Sequence, residues 1–174
     1  MLSNKFIVAL NAQINAEFWS AYLYLSMSLN AEAKGQKGVA NWFYIQYREE
    51  LDHARIFMNY VTSRGGEVKL APIAAVPTEW DSALDMFKDS LAHEKKMTAS
   101  IHNLASVAAE DRDFASSARL VWFIDEQVEE EENCRDMIAA FDAAEGNKFG
   151  LYMLDKELAS RTYKAPSPLA GNAD

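Results

Sequence analysis

Seven glycines and four prolines are the strong backbone breakers in these 174 residues, and they fall at only a few places. Gly35 and Gly38 bracket one short turn, and Gly65-Gly66 end a segment. Pro72 and Pro77 sit in the stretch that follows, while Gly146 and Gly150 come late. Between these points run four proline-free segments, too long for strands, with apolar residues recurring every three to four positions. The spacing predicts helices over about 4–34, 38–64, 82–110 and 113–144, then a shorter one at about 147–160. The chain is long enough for one well-buried domain, here 1–160. A polar tail, 161–174, carries Pro166 and Pro168 and is expected to be mobile.

Connection lengths set the topology. The first and second helices, and the third and fourth, are joined by a few residues, so each pair is an antiparallel hairpin. The second and third are joined by about 16 residues, unusually many for a compact domain. At 1.5 Å per residue the second helix is about 40 Å long. An extended connection of that length reaches roughly 50 Å. The chain can therefore run back along the bundle and leave these two helices parallel. The expected fold is all-α: a four-helix bundle with one long crossover and a short fifth helix.

Acidic residues stand where such a bundle must be apolar. At 100° per residue, Glu17 shares the stripe of Leu10, flanked by Ile14 and Ala21. Glu50 lines up with Val39, Phe43, Phe57 and Val61, and His53 stands one turn further on. Glu94 falls among Phe87, Leu91 and Ile101, and Glu130 among Phe123, Met137 and Phe141. Counted from the two tight turns, all four acids reach one level to within about a helical turn. An offset of 77 positions carries Glu17, Glu50 and His53 onto Glu94, Gln127 and Glu130, and Glu49 onto Glu126. The two hairpins thus present Glu…Glu-x-x-His and Glu…Gln-x-x-Glu at identical spacing.

Burying an unpaired carboxylate costs several kcal/mol. Four together would consume much of a total stability of about 5–15 kcal/mol. Side-chain cations are poorly placed to help. Arg48 and Arg55 lie about 140–160° from Glu50 around the helix, and Arg119 sits three turns from Glu130. Two divalent metals would bring four positive charges, leaving neutral His53 as a nitrogen ligand. Oxygen-rich ligands with one imidazole suit iron or manganese.

Glu17, the run Glu49-Glu50-Leu51-Asp52-His53-Ala54, Glu94, and Trp122-Phe123-Ile124-Asp125-Glu126-Gln127-Val128-Glu129-Glu130-Glu131 resemble the bacterial non-haem ferritins across about residues 1–160. The resemblance implies a ferritin-like di-iron bundle that oxidises Fe(II) with O2 or H2O2 and deposits ferric mineral inside a hollow shell of 24 subunits. It implies that Glu17 and His53 hold the first iron, Glu50 bridges both, and Glu94 and Glu130 hold the second, with Gln127 beside them. Glu49, Glu126 and Glu129, sharing Glu130, would form a third iron site. Tyr24 matches a tyrosine that hydrogen-bonds near the centre, although for this residue packing and function are equally open. The fourth helix has Gln127 and Glu130 where symmetric centres carry a second Glu-x-x-His, and Leu51 replaces the haem-ligating methionine of bacterioferritins. No haem is expected.

Other residues read more plainly. His93 and His102 are expected at a surface or interface, Cys134 as a packed thiol, and Trp42, Phe43, Trp122 and Phe123 as core aromatics. A net charge of −9 argues against nucleic acid as the main partner. No apolar run suits a bilayer, and the N-terminus lacks signal-peptide character. With one cysteine, a cytoplasmic location is expected. Two rival functions are considered. A small di-iron enzyme of the rubrerythrin kind would lack its Cys-x-x-Cys pairs here and leave the fifth helix unexplained. A metal-free interaction module is opposed by the buried acids.

Overall fold

The computed structural model describes residues 1–169. Five helices follow in order: α1 Asn4–Ala33, α2 Lys37–Ser63, α3 Ala83–Glu110, α4 Phe114–Ala143 and α5 Lys148–Leu158. Their ends lie within two residues of the expected positions, because several polar residues counted as helical are caps. Ser82 Oγ accepts from Asp85 N at 3.1 Å, Asp113 Oδ1 from Ser116 N at 3.1 Å, and Asn147 Oδ1 from Gly150 N at 3.0 Å. Gly35 and Gly65, at φ 76° and 73°, end α1 and α2 in the left-handed region that a side chain would strain.

α1 packs on α2 and α3 on α4, and α1 also meets α3. The crossover returns alongside α1, held by side chains of that helix. Asn11 Nδ2 donates to Glu67 O at 3.0 Å, and Asn11 Oδ1 accepts from Lys69 N at 2.7 Å. Asn15 Nδ2 reaches Ala71 O at 3.2 Å, Ser26 Oγ reaches Pro77 O at 2.6 Å, and Asn30 Nδ2 reaches Thr78 O at 3.1 Å. The crossover runs in the same sense as α1, so α3 starts beside the end of α1 and lies parallel to α2. The four-helix bundle with one long crossover and a fifth helix is the observed fold.

The core divides into two apolar clusters. One, around Met27, Phe43, Met86, Phe87 and Phe141, fills the end near the α1–α2 turn. The other, around Phe6, Leu10, Phe57, Ile101, Leu104 and Phe123, fills the opposite end. Phe57 and Phe123 stack there with ring centroids 4.0 Å apart, a pairing that adds about 0.5–1.5 kcal/mol to area burial. The acids lie between the clusters.

The C-terminal segment departs from expectation. As far as Leu169 it is not a free tail but a strap along α2. Asp155 Oδ1 accepts from Gly38 N and Val39 N, both at 2.9 Å, giving the first turn of α2 an anionic cap that Gln36 does not supply. Arg161 pairs with Glu49, Arg48 lies 3.7 Å over the Tyr163 ring, and the Tyr163 hydroxyl donates to Asp52. Leu169 is buried in the second cluster. Polar composition concealed this order because polar side chains make the anchors. The remainder of the tail, 170–174, lies outside the described residues.

Candidate metal centre

The stripe positions of Glu17, Glu50, Glu94 and Glu130 carry these side chains into the bundle interior, where each is at most 4% exposed. His53 is equally buried, and Gln127 nearly so. Among the described residues, Glu17, Glu50 and His53 offer ligand atoms within 4.8 Å of one another, a spacing one metal ion can bridge. His53 Nδ1 stands 3.4 Å from Glu50 Oε2 and 4.0 Å from Glu17 Oε2. Its other nitrogen, Nε2, faces Glu126 Oε1 at 3.8 Å. The ring is wedged edge-on against Trp122 and Phe123, with centroids 5.6 and 5.8 Å away. Packing thus fixes which nitrogen looks into the centre.

Glu94 and Glu130 lie outside that triad of ligand atoms, and donors from α1, α2 and α4 hold them by hydrogen bonds. Gln127 Nε2 donates to Glu94 Oε2 at 3.1 Å, and the Tyr24 hydroxyl donates to Glu94 Oε1. Gln46 Nε2 donates to Glu130 Oε2 at 2.7 Å. On the other side Gln13 Nε2 donates to Glu17 Oε1 at 2.8 Å. Tyr24 is fully buried and stacked beside Phe43, which makes it both a packing residue and a clamp on Glu94. Glu50 Oε2 is buried without completing a hydrogen bond, despite its closeness to His53. A carboxylate oxygen without a donor, beside an imidazole nitrogen, is a ligand pair suited to a cation.

The electrostatics agree. Burial pushes Glu50 up to about 7, with His53 opposing the shift. Burial and then the charge of Glu94 push Glu130 up to about 8. Burial and then Glu50 hold Glu17 well above the carboxylate range. Burial lowers the affinity of His53 for a proton, but Glu126 and Glu50 outweigh it, so the imidazole sits well above its ordinary value. Without metal the centre therefore retains protons that free side chains would release. The principal charges acting on these groups are their own, with no lysine or arginine among them.

The three outer acids are dispersed. Glu126 is half-buried and faces His53, Glu129 is exposed, and Glu49 is paired with Arg161 at 2.8 Å. His93 corrects the sequence reading. It is buried, 2.7 Å from Ser20 Oγ, against the Trp19 ring at 5.1 Å, and burial lowers its pKa. The turn of α3 that aims it away from Glu94 aims it at α1. His102 is exposed and Cys134 is a buried thiol, as expected. Sequence reasoning missed Gln13 and Gln46. Each sits four residues before Glu17 or Glu50, one turn along the same stripe, and that spacing was the available signal.

Known proteins match this chain in sequence and fold. A family model for the ferritin-like domain matches residues 7–144. Bacterial non-heme ferritin of Staphylococcus aureus is 36% identical over 163 residues, covering 94% of this chain and 98% of that protein. Its counterpart in Staphylococcus epidermidis is 37% identical over the same share. Among solved structures, an open pore ferritin of the archaeon Archaeoglobus fulgidus superposes with a TM-score of 0.92 at 43% identity. That match covers 93% of this chain and all of the other. A humanized archaeal ferritin gives 0.93 at 41% identity, with 94% and 99% covered. Sequence, fold and the buried acids all lead to one conclusion: the chain belongs to the ferritin family.

Proposed function

We propose that this ferritin oxidises Fe(II) at the buried centre and stores the ferric product. Glu17 and His53 Nδ1 would bind the first iron, Glu50 would bridge, and Glu94 and Glu130 would bind the second, with Gln127 and Tyr24 holding Glu94 in place. The observation that carries this is four carboxylates and an imidazole buried in the bundle interior, where burial raises Glu50 and Glu130 so that they hold protons in place of a side-chain cation. Two Fe(II) substrate ions replace those protons. Each gives up one electron; O2 takes two electrons and two protons to become H2O2, or H2O2 is reduced to two waters. Glu49, Glu126 and Glu129, sharing Glu130, would form a third iron site on the way out of the centre. The fit lies in the donor set: hard oxygens and one imidazole suit iron, and Zn(II) could occupy the site without turnover.

Storage needs a shell. α5 leaves Phe149 70%, Tyr152 55% and Met153 50% exposed, more apolar surface than a lone helix shows to water. That face supports assembly with other copies, in a 24-subunit shell by family resemblance. Among the described residues no helix is long and apolar enough to cross a membrane, and we assign the shell to the cytoplasm. The test is anaerobic Fe(II) loading followed by oxygen, with oxygen uptake and ferric absorbance recorded. Glu50→Ala should lose fast oxidation and keep the native mass. Oxidation at the wild-type rate in that variant would make the assignment of the centre wrong.

A further inference from the structure

Glu49, one acid of the third iron site proposed above, already pairs with a cation. Arg161 Nη2 donates to Glu49 Oε2 at 2.8 Å, and both side chains are mostly shielded, 25% and 19% exposed. The same guanidinium lines a surface hollow with Glu129, Trp42, Asn133 and Glu157. It comes from the strap beyond α5, far along the chain from the acids it meets. Its backbone is fastened separately, because Asn41 Nδ2 donates to Leu158 O at 3.1 Å and to Arg161 O at 3.0 Å. The guanidinium is held at the same time by Trp42: Nη1 donates to Trp42 O at 3.2 Å, and Cζ lies 4.8 Å over the Trp42 ring. It can leave Glu49 without the strap leaving α2.

We propose that Arg161 is a tethered competitor for the third iron site, occupying the Glu49 carboxylate until a metal ion takes it, while its contacts with Trp42 keep the guanidinium docked. Arg161 is then a positioning residue that makes the outer site weaker than the buried pair, so that iron fills the oxidising centre first. The proposal rests on the third-site reading in the preceding section. A guanidinium suits the task because its fork and planar face satisfy a carboxylate and an aromatic ring at once, so losing the carboxylate leaves it still held, which an ammonium does less well.

The experiment is equilibrium Zn(II) binding to the assembled protein, separating the tight pair from the weaker third equivalent. Arg161→Gln and Arg161→Met, the latter keeping an apolar stem over Trp42, should tighten the third equivalent about two- to fivefold and leave the tight pair unchanged. Arg161→Lys should bind like the wild type or between the two. In a Glu49→Gln background the effect of Arg161→Gln should vanish. A third equivalent unaltered by either neutral variant would overturn the proposal, as would a gain that persists without Glu49. Failure of the ferroxidase reading looks different: no tight pair forms in any variant, and the competitor role falls with it. Native mass and circular dichroism confirm assembly of each variant, and the stem-preserving Arg161→Met carries the test if Arg161→Gln does not assemble.

Discussion

Filling the centre should release protons, in a number set by its burial. Zn(II) is the perturbation of choice because it binds such donors without redox chemistry. At pH 6.5, a carboxyl held at about 8 is about 97% protonated and one held at about 7 about 75%, so Glu130 and Glu50 together surrender about 1.7 protons. Glu17 and His53, both held well above their ordinary values, add to that release. At pH 9 the first two contribute only about 0.1 proton between them. The assay is indicator-dye or pH-stat titration of the metal-free protein with zinc at both pH values. A Glu50→Gln, Glu130→Gln double variant supplies the baseline. A wild-type excess below about half a proton at pH 6.5 would refute the reasoning, since the acids would then already be ionised and balanced by a positive charge other than protons.

The same shifts give a stability prediction. Folded-state pKa values of Glu50, Glu130, Glu17 and His53 all lie above those of the unfolded chain, so between about pH 4.5 and 8 the folded protein binds more protons. Metal-free stability should fall as pH rises through that window, and zinc should flatten or reverse the trend in denaturant titrations; metal-free stability that rises with pH there contradicts the buried-acid picture. Tyr24→Phe removes the hydroxyl that meets Glu94, leaving a buried oxygen short of a donor, and should cost the metal-free protein about 1–3 kcal/mol in thermal or chemical unfolding. Gly38→Ala would place a Cβ 1.6 Å from Asp155 O, a contact only displacement of α5 can relieve. Native mass should then drop below that of the shell while the tight zinc pair persists. Phe57→Ala opens a cavity against Phe123 and should cost about 3–5 kcal/mol, read from the denaturation midpoint.

The bundle and its acids were legible because two periodic signals conflict only at the centre. Apolar residues recur every three to four positions along each helix, and a glutamate on that stripe is costly enough to need a reason. The crossover was legible from length alone. Relations between distant segments were not. Nothing local distinguishes Arg161 from a surface arginine, because its partners Glu49 and Trp42 lie more than a hundred positions away. The strap was misread for the same reason: Tyr163, Arg48 and Asp52 order it through side-chain contacts that leave no hydrophobic period. His93 was misassigned by considering only its angle from Glu94, when α1 offered Ser20 and Trp19 on the side it faces.

The run from Glu67 to Thr78 is gripped by its peptide groups: asparagines and a serine of α1 grasp carbonyls and one amide. Such a grip is blind to the side chains it carries. The path of the segment is dictated by α1, while Leu70 and Ile73 point away from it at 70% and 47% exposure in the single chain. The segment's course is thus independent of the side chains it carries, and short peptides grafted there should follow the same path along α1 with the buried acids left untouched.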